Sequence, residues 1–163
     1  MPEESSGIQR AGAITYYLLL RWMAGAESIT TSQIASHVEV DYQTAWSLME
    51  ELRRLPFIHC VEGYYSASLD LPFWKLCALA WQANQCCRAA ILTYILVSAT
   101  MASDMGLTTA QLRAVLGMRR TALSNMLDHL SAADCCLPLY QDGNMWKIAT
   151  QHWVIARKHD LQL

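Results

Sequence analysis

The pattern of apolar and polar positions between residues 107 and 130 predicts two short helices joined by a tight turn. Thr108 and Gln111 have the spacing of a capping box, in which two side chains satisfy two free amides at a helix start. Gly117 supplies the turn, because glycine adopts backbone angles that other residues avoid. Apolar stripes at helical spacing lie on either side of this glycine: Leu112, Val115 and Leu116, then Leu123, Leu127 and Leu130. Helix, turn and helix form the helix-turn-helix unit, whose second helix enters the major groove of DNA.

The same pattern occurs 78 residues earlier in the chain. Eleven of the 43 positions from 10 to 52 are identical to their counterparts from 88 to 130, and most of the other apolar positions stay apolar. The predicted capping box recurs with them, as Thr30, Thr31 and Gln33. Asp41 is the predicted N-cap of the second helix in this copy, and Pro56 is predicted to stop that helix. We therefore interpret the chain as a tandem duplication of a small unit.

A β-hairpin is predicted after each helix-turn-helix copy. In the first copy, residues 57–61 are rich in β-formers and the turn is predicted at Glu62-Gly63. In the second, strands over 136–140 and 145–148 flank the strong turn signal Asp142-Gly143. A helix, a helix-turn-helix and a hairpin make the winged-helix layout, so the expected fold class is mainly α with small β-wings.

The expected organisation is two tandem winged-helix repeats, residues 8–69 and 87–163, joined by an apolar linker helix over 70–86. The acidic start before residue 8 predicts a short mobile tail, and a C-terminal helix closing the second repeat is expected from His152. The linker helix is apolar on much of its circumference, which predicts burial between the repeats. Trp74 and Trp81 on it have two interpretations: core between the repeats, or an anchor for a homodimer or protein partner.

Composition excludes several classes of protein. No run of eighteen apolar residues free of charge occurs and the start lacks the layout of a secretory signal, so we expect a cytoplasmic protein without a membrane span. The six cysteines form no C-x-x-C pair and the five histidines lack metal-ligand spacing, so no metal or cofactor is expected. The chain has no nucleophile elbow and no phosphate loop, which argues against an enzyme.

Charge is divided unevenly between the two halves. Residues 1–71 hold nine acids and four bases, a net charge of −5, whereas residues 72–163 hold five acids and eight bases, a net charge of +3. Acids at 39, 41, 50 and 51 surround the second helix of the first copy and would repel phosphate. The second copy is therefore the better candidate for a nucleic-acid contact.

Three segments of the first copy, residues 31–35, 43–49 and 63–65, have the pattern Thr-Ser-Gln-Ile-Ala, Gln-Thr-Ala-Trp-Ser-Leu-Met and Gly-Tyr-Tyr. In the second copy, residues 119–121 and 123–124 stand in the same frame. On these segments the chain resembles the winged-helix domains of bacterial or phage regulators of the IclR and MarR kinds. A second winged helix stands where those regulators carry a sensor domain.

The resemblance implies which side chains read DNA, namely the early exposed residues of each second helix. Arginine suits guanine edges, and asparagine or glutamine suits adenine. The side chains so predicted are Arg119, Arg120, Thr121, Ser124 and Asn125 in the second copy, Tyr42, Gln43, Thr44 and Ser47 in the first, and Lys147 with Asn144 on the second hairpin.

Two functions remain open from the sequence. The first is a sequence-specific DNA-binding transcription regulator that uses its two second helices to read half-sites of double-stranded DNA about one helical turn apart. The alternative is a protein–protein adaptor without direct DNA readout, which the acidic first half and the tryptophan-rich linker favour.

Overall fold

The chain is mainly helical, with two small antiparallel sheets. A computed structural model describes residues 2–103, 106–132, 135 and 137–149. The first unit contains, in order, α1 (Pro2–Met23), β1 (Ile29–Thr30), α2 (Thr31–Val38), α3 (Tyr42–Leu52), β2 (Ile58–Val61) and β3 (Tyr64–Ala67). After α4 (Phe73–Gln82), the second unit contains α5 (Gln85–Ser103), β4 (Leu107–Thr108), α6 (Thr109–Leu116), α7 (Arg120–Leu130), β5 (Leu139–Asp142) and β6 (Met145–Ile148).

The short helices and strands of the two units begin and end at matching positions. The strand and two helices from 29 to 52 lie 78 residues before those from 107 to 130, residue for residue. The hairpins are 81 residues apart, because the segment between α7 and β5 is three residues longer than that between α3 and β2. The two sheets also have the same strand order, β1-β3-β2 and β4-β6-β5.

The ends of the short helices follow the predicted local chemistry. Thr30 and Thr108 each close a capping box, with the side chains of Gln33 and Gln111 accepting from the threonine amides at 2.8 Å. Asp41 caps α3 by accepting from the Thr44 amide at 2.7 Å, also as predicted.

Helix α2 ends at Glu39 (φ 57°) and α6 ends at Gly117 (φ 62°), so both units make the turn in the left-handed region. Gly117 therefore supplies the turn as predicted, whereas the first unit places a glutamate at the equivalent position. Glycine meets this backbone requirement without the steric cost that a side chain carries.

Both hairpins have two-residue turns. The first lies at Glu62-Gly63 as predicted, and both residues have positive φ (52° and 81°), as a type I′ turn requires. The second was predicted at Asp142-Gly143 but lies one residue later, because Asp142 pairs with Met145 as the last residues of the ladder. Gly143 takes the first turn position with φ 63°.

In the first unit, two helix boundaries differ from the sequence prediction. Helix α1 already begins at Pro2, so the prediction of a mobile tail before residue 8 is wrong. Helix α3 was expected to run on to Pro56, but it ends at Leu52. The chain leaves the helix early because Leu55 and Phe57 are both buried in the core, and because the residue before a proline avoids the helical region.

The core lies where the long first helices of the two units cross. Helix α1 packs along α5, and each also contacts the other unit's third helix: α1 meets α7, and α5 meets α3. Gly12 permits this approach, because a Cβ there would lie 2.5 Å from Leu130 Cδ2. Phe57 of the first unit packs against Tyr94 of the second in a tilted arrangement, with ring centroids 4.4 Å apart. The units therefore share one hydrophobic core.

Helix α5 is apolar because it is central to this core. Its window Gln85–Ala102 is long and apolar enough to cross a membrane by length and composition, with a mean hydropathy of 1.3. However, 61% of that window is buried inside the protein. Packing between the units accounts for its apolar character.

Helix α4 is shorter and more exposed than predicted. It spans Phe73–Gln82, packs against α6, and buries Leu76 and Ala80. Trp74 and Trp81 are exposed, so the interpretation that they form core between the repeats is wrong. The Trp81 indole nevertheless borders the α6–α7 turn, where a Cβ on Gly117 would lie 2.7 Å from its Cδ1. The predicted closing helix from His152 lies outside the described residues.

Candidate nucleic-acid interface

Helix α7 has one buried face and one exposed face. Leu123, Met126, Leu127 and Leu130 are buried against the core, which fixes the orientation of the helix. Arg120, Thr121 and Asn125 are exposed on the opposite side, as predicted. Ser124 is half-buried and lies at the edge of this exposed face.

Two adjacent arginines stand at the N-terminus of α7. Arg119 occupies the N-cap position without making a side-chain cap, and Arg120 is the first helical residue. Both are exposed, and in the described part of the chain neither forms an ion pair. Arg113 on α6 is also exposed and unpaired among these residues. This end of the second unit therefore presents free guanidinium groups.

The second hairpin is less available than predicted. The Lys147 ammonium lies 3.4 Å from the Asp142 carboxylate, and only 16% of the lysine side chain is exposed. Lys147 faces Tyr140 across the ladder, and Asp142 lies two residues further along on the same face, so the pair is a diagonal cross-strand contact. Asn144 at the turn is exposed as expected.

Helix α3 has the same arrangement with different side chains. It buries Ala45, Leu48, Met49 and Leu52 and exposes Tyr42, Gln43 and Ser47, while the predicted Thr44 is half-buried. The exposed face also carries Trp46, which the sequence reasoning did not select. Its position four residues after Tyr42 was the available signal, because side chains at that spacing share a helix face.

The surroundings of α3 are anionic. Glu39, Asp41 and Glu62 are exposed and, among the described residues, none forms an ion pair. Hydrogen bonds from the side chain and backbone amide of Thr44 hold the pKa of Asp41 below its ordinary value, so this carboxylate is ionised at neutral pH. The guanidinium of Arg53 is held by Glu50 at 3.2 Å. Phosphate would meet repulsion here.

A comparison at equivalent positions separates the two surfaces. Helices α3 and α7 begin and end at equivalent positions, and each buries four residues. The helix that precedes each of them, α2 or α6, starts with the same capping box. The exposed positions differ in charge and aromatic character, with Asp41, Tyr42 and Trp46 of the first unit corresponding to Arg119, Arg120 and Ser124 of the second.

Outside these two helices, the described residues of the first unit contain a hydrogen-bonded polar cluster beside a pocket of about 560 Å³. Within them, no group of three histidine, cysteine or acidic side chains could hold a metal ion. His59, Ser68 and Asp70 form a hydrogen-bonded chain, with 2.7 Å between His59 Nε2 and Ser68 Oγ and 3.0 Å from Ser68 Oγ to Asp70. The Ser68 hydroxyl donates to the Asp70 carboxylate in this arrangement, and the direction of its bond with His59 depends on the histidine tautomer.

Comparison with protein-family models, with curated proteins and with solved structures finds no match to this chain. Its function therefore has to be inferred from its own geometry, and the two helices α3 and α7 are where equivalent positions carry opposite chemistry.

Proposed function

We propose that the chain is a sequence-specific DNA-binding transcription regulator built from two tandem winged helices, in which α7 of the second unit is the recognition helix. The element order of each unit supports a winged helix: a long helix, a short strand, two helices and a hairpin. The second strand of the hairpin also pairs with the short strand that precedes the two helices. In such a unit the last helix before the hairpin enters the major groove.

The single observation that carries the proposal is the unpaired arginine pair at the start of α7. Cations at a helix N-terminus oppose the helix dipole, and Arg119 also takes an N-cap position where Asp41 of the other unit makes a hydrogen bond. The arrangement therefore lowers the stability of α7. A DNA contact would explain why arginines occupy these destabilising positions, because the N-terminal residues of a recognition helix contact base edges and phosphates.

Each exposed side chain of α7 has a role in the proposed contact. Arg119 and Arg120 recognise guanine edges or phosphates, and Asn125, one turn further along, recognises an adenine. Thr121 donates its hydroxyl to a phosphate or a base edge. Lys147 stays tied to Asp142 and contributes little. Occupancy of an operator then blocks access to the promoter.

The test is duplex selection from a random library, followed by binding measurements at two salt concentrations. Replacing Arg119→Ala and Arg120→Ala together should weaken binding by at least about tenfold and reduce the salt dependence by up to about two charges. The loss follows from removing two cations that lie on the groove-facing side of the helix.

The matched control is the exposed arginine pair of the first unit, Arg53→Ala with Arg54→Ala, which should leave DNA affinity within about twofold. Absence of any selected sequence, or equal losses in both double variants, would contradict the role of α7.

A second candidate function is a protein–protein adaptor that does not read DNA. The exposed aromatic side chains on α3 favour it, since aromatic residues are enriched where proteins meet. The same selection experiment separates the two, because an adaptor would retain no duplex sequence above background at low salt.

A further inference from the structure

The first unit has a groove between α3 and its hairpin. The groove has a volume of about 370 Å³, and one side is formed by residues 42, 46 and 50 on a single face of α3 and by the C-cap residue 53. The hairpin supplies Cys60, Glu62 and Tyr65 on the other side, and the start of α2 closes one end. A volume near the lower limit of ligand pockets, roughly 300 Å³, suits one or two anchoring side chains.

Aromatic side chains stand exposed in and beside this groove. Tyr42 is 54% exposed and Trp46 is 43% exposed, and both line it. Tyr64 and Val61 are also exposed, but they alternate along the hairpin with the groove-lining Cys60 and Tyr65 and so belong to the other face of the ladder. Two large aromatic side chains exposed one turn apart on a helix face, both lining a groove, indicate an interaction site.

The charges around the groove select the partner. Glu62 at the turn lines it, while Glu39 and Asp41 flank the start of α3. The groove has one cation of its own, Arg53, and its guanidinium is already bonded to Glu50. Trp46 and Tyr42 present π-faces that attract cations, so the aromatic and acidic groups favour the same ligand charge.

We propose that this groove docks a basic, arginine-bearing peptide segment of a protein partner. A partner guanidinium stacks on Trp46 while its N–H groups bond the Glu62 carboxylate. Arginine fits better than lysine, because its planar group combines stacking with paired hydrogen bonds. From Tyr42 to the C-cap Arg53, α3 extends about 16 Å. An extended peptide of about five residues covers that length.

The proposal is independent of DNA binding by the second unit. The equivalent positions on α7 are Arg120 and Ser124, so the second unit lacks both the aromatic pair and the anionic surroundings. The first unit is thus specialised for a cationic partner and the second for an anionic one.

The test measures binding of the full chain to a fluorescein-labelled twelve-residue peptide of alternating arginine and serine. The matched peptide carries glutamate in place of each arginine. Saturable binding of the arginine peptide alone is expected. Trp46→Ser, which copies the residue found at the equivalent position of α7, should weaken it about tenfold through loss of the stacking surface.

Glu62→Asn removes the carboxylate and keeps a residue that type I′ turns favour, so affinity should fall about threefold while thermal stability is maintained. Two controls should leave the affinity for the arginine peptide unchanged. One is Trp74→Ser, which removes an exposed tryptophan of α4, and the other is Arg119→Ala with Arg120→Ala. The proposal is overturned if binding of the arginine peptide does not saturate, or if Trp74→Ser weakens that binding as much as Trp46→Ser does. It is also overturned if the double variant at Arg119 and Arg120 abolishes peptide binding.

Two further outcomes would assign the groove to a different occupant and overturn the proposal. One is duplex DNA that displaces the peptide and no longer binds the Trp46→Ser variant. The other is self-association of the chain, measured by sedimentation, that Trp46→Ser abolishes.

Discussion

Asp41 and Arg119 occupy the same place before equivalent helices, with opposite chemical consequences. The Asp41 carboxylate satisfies a free amide of α3, whereas Arg119 satisfies none and adds a positive charge to the positive end of α7. Because the two backbone positions are equivalent, the difference in helix capping is caused by the side chain alone. Selection for the stability of α7 alone would have favoured an acid or a hydroxyl at position 119.

Arg119→Asp should therefore stabilise the protein while weakening its binding to duplex DNA. Restoring an N-cap is worth about 1 kcal/mol in the free energy of unfolding, and the charge reversal places a carboxylate against phosphate. Urea unfolding measures the first effect and DNA titration the second. Asp41→Ala is the counterpart, which should lower the free energy of unfolding because it removes the N-cap of α3. A variant at 119 that lost both stability and affinity would show that Arg119 has a structural role.

Individual side-chain contacts could be predicted from the sequence only where the two partners are close along the chain. The capping boxes and the Asp41 cap depend on side chains three residues from their partners, so spacing alone was sufficient. The Lys147–Asp142 pair depends on the hairpin register, which the turn prediction missed by one residue. Lys147 was consequently predicted to be free to reach DNA when it is held by a carboxylate.

At the scale of elements, the two helix-turn-helix segments make the same turn with different residues. Glu39 and Gly117 are both in the left-handed region at the ends of α2 and α6. A side chain in this region costs about 1–2 kcal/mol relative to the right-handed one. The first unit therefore carries strain that the second avoids.

Glu39→Gly should raise the free energy of unfolding by about 1 kcal/mol, because it relieves that strain at an exposed helix end. Gly117→Ala should lower it by at least that amount, since the new Cβ also meets the Trp81 indole. Denaturant titration of each variant gives both values. Recovery of part of the Gly117→Ala loss in a Trp81→Ala background would identify the indole as the second source, and an unchanged stability in Glu39→Gly would contradict the strain.

Element boundaries were predicted well where the periodicity is strong and poorly where the core intervenes. The two short helices of each unit were found because each has a capped start and an apolar stripe. The end of α3 was predicted wrongly, because it depends on the burial of Leu55 and Phe57 in the core, which the local sequence pattern does not show. For the same reason, the exposure of Trp74 and Trp81 on α4 could not be foreseen from their apolar character.

At the scale of the whole molecule, the reciprocal packing of α1 with α5 holds two similar units around one core. The sequence suggested that both second helices would read DNA half-sites about one helical turn apart. Among the described residues, α7 begins with two exposed arginines that form no ion pair, whereas α3 begins beside exposed acids that form none. The proposed regulator therefore reads one half-site.

Hydroxyl-radical footprinting on a selected duplex should show one protected segment, shorter than about 10 base pairs, and the selected consensus should not be palindromic. The asymmetry follows because α3 repels the phosphates that α7 attracts. Trp46→Ser should leave this footprint unchanged, which serves as the control. Two protected segments one helical turn apart would show that both units contact DNA.

The shared core between α1 and α5 has an evolutionary consequence. In a symmetric homodimer every substitution occurs twice, so a change that suits one surface is imposed on the other. Here the two halves are encoded separately but fold around a common centre, and their association does not depend on protein concentration. A substitution on one outer face therefore leaves the other unchanged, so two equivalent surfaces can carry opposite charges while the interior that joins them stays under a single constraint.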